Sequence, residues 1–246
     1  MDRWVGKVAV VTGASAGIGA AIAKELVRAG LLTVGLARRV ELVEALKGDL
    51  ASVEIASRLH AVKCDVSKEE DILSAFGFIC EKFGGIDVLV NNAGVSRDGT
   101  VLGVGNSKDL RDIFDTNVIG LALCSREAYQ SMKKRSVDGH IINIGSLSGH
   151  QVYDIPRQSI YSPSKFAVRA LTDSMRIEMR NESSRVKVTC ISPGIVMTDM
   201  VGDFADAIHF PTLLAEDIAD SVRYVLSTPP RVQIHELVIR PNGEPF

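Results

Sequence analysis

The sequence has few of the features that mark metal sites, disulfide frameworks or membrane spans. Its four cysteines, at positions 64, 80, 124 and 190, include no Cys-x-x-Cys pair, and its five histidines show no HExxH spacing. We therefore expect reduced thiols, no bound metal and a cytoplasmic location. No apolar stretch is long enough to cross a bilayer, and no signal-peptide core follows the first seven residues, so we expect no transmembrane segment.

The chain also lacks an excess of charge of either sign. Its 246 residues carry a formal net charge of −2, with 24% charged and 46% hydrophobic residues. This balance provides no general attraction to nucleic acid or to an anionic membrane. The composition instead indicates an ordinary globular protein that is long enough to bury a large core without a disulfide or a metal.

Short apolar runs recur along the chain and predict β-strands. They are nearly continuous rather than alternating, which is what strands buried on both faces of a parallel sheet require. The seven runs are 8–11, 33–37, 61–64, 86–90, 141–144, 186–191 and 237–239.

Helix-compatible segments separate these runs, at 18–29, 41–59, 68–83, 107–134, 159–181 and 215–227. This alternation over 1–246 predicts an α/β protein with a single-domain Rossmann fold, in which a doubly wound parallel sheet of about seven strands has helices on both faces. The loops that follow the strands would meet at the carboxyl edge of the sheet, where ligands bind in such folds.

A glycine-rich loop joins the first predicted strand to the first predicted helix. Residues 12–19 read TGASAGIG, and they contain Gly13, Ser15, Gly17, Ile18 and Gly19. Glycines let the backbone approach a pyrophosphate closely, and the helix N-terminus offers unpaired N–H groups to that anion. The loop predicts a dinucleotide site, with a tight turn that binds no ligand as the alternative.

Two arginines, Arg38 and Arg39, end the second predicted strand. An acidic residue near this point usually binds the ribose 2′-OH of NAD, whereas arginine suits the 2′-phosphate of NADP. A solvated pair of surface charges is the alternative. Asp65 ends the third strand, where it could bind the adenine amino group or, equally well, cap the next helix.

Tyr161, Lys165 and Ser146 form a candidate catalytic set. Tyr161 and Lys165 are four residues apart, which places them on one face of a helix, and Pro163 between them is tolerated if that helix begins close by. An ammonium beside a phenol favours the phenolate, which can then exchange a proton with an alcohol or a ketone. Ser146 could bind the substrate oxygen. Each residue alone is more often structural, so this interpretation depends on their occurring together.

The combined motifs resemble the short-chain dehydrogenase/reductase family from about residue 7 to residue 241. They are TGASAGIG at 12–19, NNAG at 91–94, Asn117, Ser146, YSPSK at 161–165, and SPG at 192–194 followed by Thr198. The resemblance implies that Tyr161 is the catalytic acid/base and that Lys165 makes its phenol more acidic and binds the nicotinamide ribose. It further implies that Ser146 orients the substrate and that Asn117 holds a proton-relay water.

The same resemblance implies NADP(H) as the cofactor. In addition to the glycine-rich loop, the two arginines, Asp65 and the catalytic pair Tyr161 and Lys165, its cradle would include Val66, Asn92, Ala93, Gly94, Pro193, Gly194, Val196 and Thr198.

Further segments resemble the branch of this family that contains farnesol dehydrogenases and dehydrogenase/reductase member 11. They are REAYQSM at 126–132, DGHIIN at 138–143, SGH at 148–150 and LSTP at 226–229. This branch implies hydride transfer between NADP(H) and a lipophilic alcohol or carbonyl, with a farnesol-like terpenoid alcohol as the first expectation. A steroid or general carbonyl substrate is the alternative, and a cofactor-binding protein without activity is a weaker one.

Two positions depart from the family pattern. Ala16 stands where many NADP-preferring relatives have a basic residue, which leaves the 2′-phosphate to Arg38 and Arg39. Gly145 stands where many relatives have a second serine, and Ser148 is close enough to Ser146 to compete for its role.

The segment 197–214 is rich in apolar residues and includes Phe204 and Phe210. It could be a substrate loop that closes over an apolar ligand or, with equal weight, a surface helix that packs on the domain. Helices near 107–134 and 159–181 form the dimer interface in relatives, so the resemblance also implies a homodimer or homotetramer.

Overall fold

The computed structural model describes residues 1–154, 157–201 and 208–244 of the chain. Within them, seven strands form one sheet in the order β3-β2-β1-β4-β5-β6-β7, and all neighbouring strands are parallel. The strands are β1 (Val8–Thr12), β2 (Leu32–Ala37), β3 (Leu59–Lys63), β4 (Val88–Asn91), β5 (His140–Ile144), β6 (Lys187–Pro193) and β7 (Glu236–Ile239). The predicted seven-stranded Rossmann sheet is therefore confirmed. The observed strand ends differ from the predicted ones by no more than two residues.

In the described ranges, eight α-helices cover the two faces of this sheet. They are α1 (Gly17–Arg28), α2 (Val40–Ala45), α3 (Val53–Ala56), α4 (Glu69–Phe83), α5 (Ser107–Phe114), α6 (Leu121–Arg135), α7 (Gln158–Asn181) and α8 (Ala215–Ser227). Each face has its own apolar core, one containing Ile22, Leu26 and Val222 and the other Ile72, Ile79 and Met132. Within the described parts of the chain, no helix is long and apolar enough to cross a membrane.

The chain changes direction across the sheet after β3. Strands β1 to β3 are added towards one edge, and the chain then returns to β4 on the other side of β1. The loops after β1 and β4 therefore diverge from two adjacent strand ends and leave a crevice between them, which is where open α/β sheets bind ligands.

The prediction of one helix over 41–59 is wrong. Helix α2 ends at Ala45, a 3₁₀ turn follows at Leu46–Asp49, and the short helix α3 begins only at Val53. Gly48 weakens a continuous helix at this point, since glycine costs about 1 kcal/mol relative to alanine in a helix interior. Ser52 then starts a new helix, because its Oγ accepts a hydrogen bond from the backbone N–H of Ile55.

The prediction of one helix over 107–134 needs a smaller correction. The chain is helical throughout, but Asp115–Gly120 between α5 and α6 is a π-helical turn. A Cβ on Gly120 would lie 2.3 Å from the backbone oxygen of Val66, so the helix passes very close to the loop after β3. The π turn carries Asn117, and such turns occur frequently at functional sites.

Helix α7 begins earlier than the position of Pro163 suggests. It starts at Gln158, so Pro163 lies in the second turn and not the first. The backbone carbonyl of Ser159 consequently accepts no helical hydrogen bond from position 163, because proline has no N–H.

Candidate active site

A cleft of about 990 Å³ opens at the carboxyl edge of the sheet, above the ends of β1 and β4. Segments that follow each of the seven described strands contribute to its wall. The predicted residues among its lining are Gly13, Ser15, Gly17, Ile18, Arg38, Arg39, Asp65, Val66, Asn92, Ala93, Gly94, Ser146, Tyr161, Lys165, Pro193, Gly194, Val196 and Thr198. Gly19 and Asn117 are buried behind this wall.

The glycine-rich loop leaves bare backbone at one end of the cleft. Gly13 and Gly17 have positive φ angles of 66° and 53°, which residues with a side chain rarely adopt. Gly19 allows α1 to approach the strand, because a Cβ there would lie 2.2 Å from the backbone oxygen of Gly13. In the described structure no side chain caps α1, whose N-cap is Ala16, so its first N–H groups remain available to an anion.

Asn92 joins the loops after β1 and β4. Its Nδ2 donates to the backbone oxygens of Thr12, over 3.0 Å, and Gly13, over 3.2 Å. In return, the hydroxyl oxygen of Thr12 accepts from the backbone N–H groups of Asn92 and Ala93, each over 3.0 Å. The side chain of Asn92 thus holds the two loops together, and the residue lines the cleft.

Arg38 and Arg39 lie at the far end of the cleft, where both are exposed. Asp65 also lines the cleft, so its predicted contact with the adenine stays a prediction, whereas the alternative role as a helix cap is wrong. Its Oδ1 accepts from the backbone N–H and the hydroxyl of Ser67, over 3.1 and 2.7 Å. It stabilises the turn after β3 in this way, although the N-cap of α4 is Lys68.

Ser146 follows β5 and begins a 3₁₀ turn at Leu147–Gly149. Its Oγ accepts a hydrogen bond from the Ser148 N–H over 3.1 Å, so its own hydroxyl hydrogen is the group that it can offer to a substrate oxygen. The competing Ser148 is buried, and its hydroxyl donates to Gln158 Oε1 over 2.6 Å. Hydrogen bonding therefore favours Ser146 as the substrate-facing hydroxyl.

Lys165 is 95% buried beneath Tyr161 on α7, with 5% of its surface exposed. Its Nζ donates to the backbone oxygen of Ile144 at the end of β5 over 2.8 Å, and it lies 5.5 Å from the centre of the Tyr161 ring. The hydrogen bond to β5 holds the ammonium in one place. The ammonium of Lys165 and the ring of Tyr161 are therefore fixed next to each other on α7.

Asn117 lies behind the cleft in the π turn and connects the loop after β4 to α7. Its amide pairs with the backbone of Val95, and its Nδ2 also donates to Ser164 Oγ over 3.1 Å. The Ser164 hydroxyl in turn donates to the backbone oxygen of Tyr161 over 2.6 Å. Both amide hydrogens are therefore used within the protein, so a bound water would have to be held by an oxygen of this residue.

Several cleft residues carry no motif that could have identified them. Leu147, Tyr153, Gln158, Ile195 and Met200 all line the cleft. Their side chains are common types without a characteristic spacing, and only the folded loops bring them to the same wall. Charged pairs border the cleft as well, including Arg157 Nε with Asp98 Oδ1 over 2.6 Å and Arg97 with Asp112 over 3.6 Å.

The arrangement fits a dinucleotide. Bare backbone and a helix N-terminus suit a pyrophosphate, and the basic pair suits a further anionic group. Lys165, Tyr161 and Ser146 line the same cleft. In the described regions, no group of three or more histidine, cysteine, aspartate or glutamate residues is placed to hold a metal ion. Fold and site together define an oxidoreductase that uses a nicotinamide cofactor.

Comparison with known proteins supports this class. Residues 7–208 match the family described as short chain dehydrogenase, and the chain belongs to that family. It is 60% identical over 246 residues, covering 100% of both chains, to farnesol dehydrogenase from Aedes aegypti. It is 45% identical to dehydrogenase/reductase SDR family member 11 from Homo sapiens, covering 99% of this chain and 97% of the relative.

A solved structure has the same fold. The alcohol dehydrogenase from the archaeon Thermococcus sibiricus complexed with 5-hydroxy-NADP superposes with a TM-score of 0.83 at 30% sequence identity, covering 96% of this chain and 97% of the other.

Proposed function

We propose that this chain is an NADP(H)-dependent dehydrogenase/reductase of lipophilic alcohols and carbonyls, with a farnesol-like terpenoid alcohol as the first candidate. The observation that carries the proposal is the buried Lys165 ammonium, tied to Ile144 and 5.5 Å from the Tyr161 ring, in a cleft that Ser146 also lines. An ammonium held in this way supports proton exchange by the phenol.

The protein's own residues handle the proton and the substrate oxygen. Bound nicotinamide supplies the hydride acceptor or donor. In alcohol oxidation, Tyr161 takes the hydroxyl proton, and in carbonyl reduction it returns one to the oxygen. Ser146 donates a hydrogen bond to that oxygen and stabilises the negative charge that develops there. Lys165 keeps its ammonium beside the phenol throughout, held by the backbone oxygen of Ile144.

Tyr161→Phe tests the chemistry. It removes the proton-transferring hydroxyl but keeps the ring, so we expect turnover to fall by about 1,000-fold or more. The affinity for NADPH, followed by its fluorescence, should stay within about threefold of the wild type because the variant keeps the Tyr161 ring and every other residue of the cradle. Tyr224→Phe is the matched control, since Tyr224 is 57% exposed on α8 and should leave activity unchanged. A Tyr161→Phe variant with ordinary turnover would overturn the proposal.

Preference for NADP over NAD rests on Arg38 and Arg39 at the end of the cleft. They stand where a fold that prefers NAD has an acidic residue. The solved relative complexed with 5-hydroxy-NADP supports the same choice. Replacing both arginines with alanine should lower kcat/KM for NADP by about tenfold or more, because charge-assisted bonds to the 2′-phosphate are lost. The value for NAD should change little. Arg28→Ala, at an exposed site on α1, is the control. Equal kcat/KM values of the wild type for NADP and NAD would contradict the assignment.

A lipophilic substrate is supported by the farnesol dehydrogenase relative and by apolar side chains in the cleft, including Leu147, Val196 and Met200. The predicted substrate loop begins and ends at one place: Met197 N–H donates to Leu213 O over 2.9 Å, and Leu213 N–H donates to Ile195 O over 2.8 Å. Such closed loops often cover binding sites. Residues 202–207, which include Phe204, lie outside the described residues.

Kinetics over a series of alcohols tests this loop. Phe210→Ala should raise KM for farnesol-like alcohols by about tenfold and KM for short alcohols much less, because only long substrates reach an apolar cover. Phe78→Ala on α4, where Phe78 is 44% exposed, is the control. Equal effects across the series would reject the loop as a substrate cover. A panel of farnesol, steroids and small diketones with NADP(H) separates the terpenoid assignment from the broader carbonyl one.

A further inference from the structure

A cluster of charged side chains lies behind the turn that carries Ser146. Arg169, on α7, forms a two-pronged ion pair with Glu236 on β7, with Nε to Oε1 at 3.0 Å and Nη2 to Oε2 at 3.2 Å. Its remaining terminal nitrogen, Nη1, donates to the backbone oxygen of Gly149 over 2.9 Å. Gly149 is the last residue of the 3₁₀ turn that Ser146 begins.

Glu236 has two further polar neighbours. The hydroxyl of Ser192, on β6, donates to its Oε1 over 3.0 Å, and His150 Nε2 lies 2.7 Å from the same oxygen. Burial by itself raises the pKa of the Glu236 carboxyl, but the hydrogen bonds from Arg169 and Ser192 and the charges of His150 and Arg169 outweigh it and lower the pKa. Glu236 therefore stays ionised and keeps the planar guanidinium of Arg169 in one orientation.

The turn is in close contact with α7 at the same point. A Cβ on Gly149 would lie 2.7 Å from the backbone oxygen of Lys165 and 3.1 Å from Cδ of Arg169. Tyr161, Lys165 and Arg169 are spaced four residues apart, so they occupy successive turns of one helix. The helix that carries the proton-transferring phenol thus also carries the group that anchors the Ser146 turn.

We propose that Arg169, held by Glu236, is a positioning residue that sets the distance between the Ser146 hydroxyl and the Tyr161 phenol. The inference rests on the proposed function, in which both groups act on one substrate oxygen. Two hydrogen-bond donors serve one oxygen only if their separation is correct, and a misplacement of about 1 Å can cost about a hundredfold in rate. Lysine cannot replace Arg169 fully, because an ammonium does not form the paired bonds to Glu236 while also reaching Gly149.

Arg176 provides a matched control on the same helix. Its Nη1 donates to the backbone oxygen of His235, one residue before Glu236, over 3.0 Å. It therefore links α7 to the same strand region as Arg169 does, but the hydrogen bonds of its side chain do not reach the turn at Leu147–Gly149.

The experiment is a double-mutant cycle on the full-length protein with NADP(H) and the best substrate of the panel. Arg169→Ala should lower kcat by about tenfold to a hundredfold, with KM for NADP(H) within about twofold, because the cofactor cradle lies elsewhere. Arg169→Lys should recover only part of the loss, and Arg176→Ala should retain wild-type kcat. Glu236→Gln, a milder variant, should lower kcat in the same direction as Arg169→Ala without removing a side chain.

The second half of the double-mutant cycle measures whether Arg169 acts through Ser146. In a Ser146→Ala background, Arg169→Ala should cost less than about twofold, because the hydroxyl that it positions is already gone. Equal losses with and without Ser146 would overturn the inference, as would a kcat for Arg169→Ala equal to that of Arg176→Ala. If Ser146→Ala is too slow to measure, this comparison with Arg176→Ala decides alone. An inactive wild type would instead refute the proposed function, so the two failures are distinguishable.

Discussion

The side chain of Asn117 forms two hydrogen bonds with the backbone of Val95. The Val95 N–H donates to Asn117 Oδ1 over 2.8 Å, and Asn117 Nδ2 donates to the Val95 oxygen over 3.0 Å. The amide thus pairs with the loop after β4 as a neighbouring strand would. Since this loop includes Asn92 and Gly94, a residue behind the cleft helps to determine the shape of the cradle.

Replacing Asn117 with alanine should therefore affect stability as well as catalysis. Two partly buried backbone groups of Val95 would lose their partners, which costs about 1–3 kcal/mol in the free energy of unfolding. Asn117→Asp keeps the acceptor and loses the donors, so it should show an intermediate loss. Urea unfolding measures both variants, and Asn181→Ala, at the exposed end of α7, is the control. Unchanged stability of Asn117→Ala would contradict the structural role.

Gly145 departs from the family pattern for a reason that the packing explains. A Cβ at this position would lie 2.8 Å from both the Cys190 Sγ and the Ser192 Oγ on the neighbouring strand β6. These side chains fill the space that a second serine would need. Gly145→Ala should destabilise the protein by about 1–3 kcal/mol through overpacking.

A second substitution tests this explanation. In a Cys190→Ala background, Gly145→Ala should cost less than in the wild type, because one of the two crowding atoms is gone. Gly77→Ala on α4, where nothing lies within 4 Å of the added Cβ, should be neutral or stabilising by about 1 kcal/mol. The same cost for Gly145→Ala in both backgrounds would show that Cys190 is not the obstacle.

His140, at the start of β5, is buried as a neutral imidazole. The Thr189 hydroxyl donates to Ile234 O over 2.6 Å, so it accepts from His140 Nε2 over 2.9 Å and selects the tautomer with hydrogen on Nε2. Burial, with smaller contributions from Lys187 and Arg3, lowers the pKa of His140 to about 3. An unfolded histidine has a pKa of about 6.5 and binds a proton that the folded one rejects.

This difference makes stability depend on pH in a defined direction. The contribution is complete above about pH 6.5 and is lost progressively as the pH falls towards 3, at up to about 1.4 kcal/mol per pH unit. Between pH 7 and pH 5, the wild type should lose about 2 kcal/mol more unfolding free energy than His140→Gln. Urea titrations at both pH values measure this difference, and the exposed His209→Gln is the control. Parallel losses in the wild type and His140→Gln would contradict it.

Self-association remains a prediction, supported by apolar residues on the helical segments expected at the interface. Ile119 is 51% exposed, Phe166 39% and Ile177 50%. We expect light scattering at micromolar concentration to report a homodimer or homotetramer, and Ile177→Glu to reduce the mass, because a buried unpaired charge is costly. Val53→Glu on α3, where Val53 is 88% exposed, should leave the mass unchanged. A monomeric wild type would contradict the prediction.

Residue type and spacing were sufficient to predict the sheet, most helices and the motif residues that line the cleft. Buried parallel strands require continuous apolar runs, and a dinucleotide cradle requires glycines at set positions, so both leave local signals. The prediction failed at 41–59, where Gly48 and Ser52 interrupt a helical pattern, and it missed the π turn at Asp115–Gly120. A π turn differs from an α-helix by one backbone hydrogen-bond step, which the apolar periodicity does not record.

The partners of the site residues could be established only once the chain was folded. Asn117 bonds with Val95 over 22 positions, Lys165 with Ile144 over 21, and Arg169 with Glu236 over 67. Contacts of this kind depend on where helices cross the sheet. A pattern within a short stretch of sequence does not predict which distant residues come into contact. Local chemistry therefore determined which groups are available, and the packing of α7 against β5, β6 and β7 determined which of them act together.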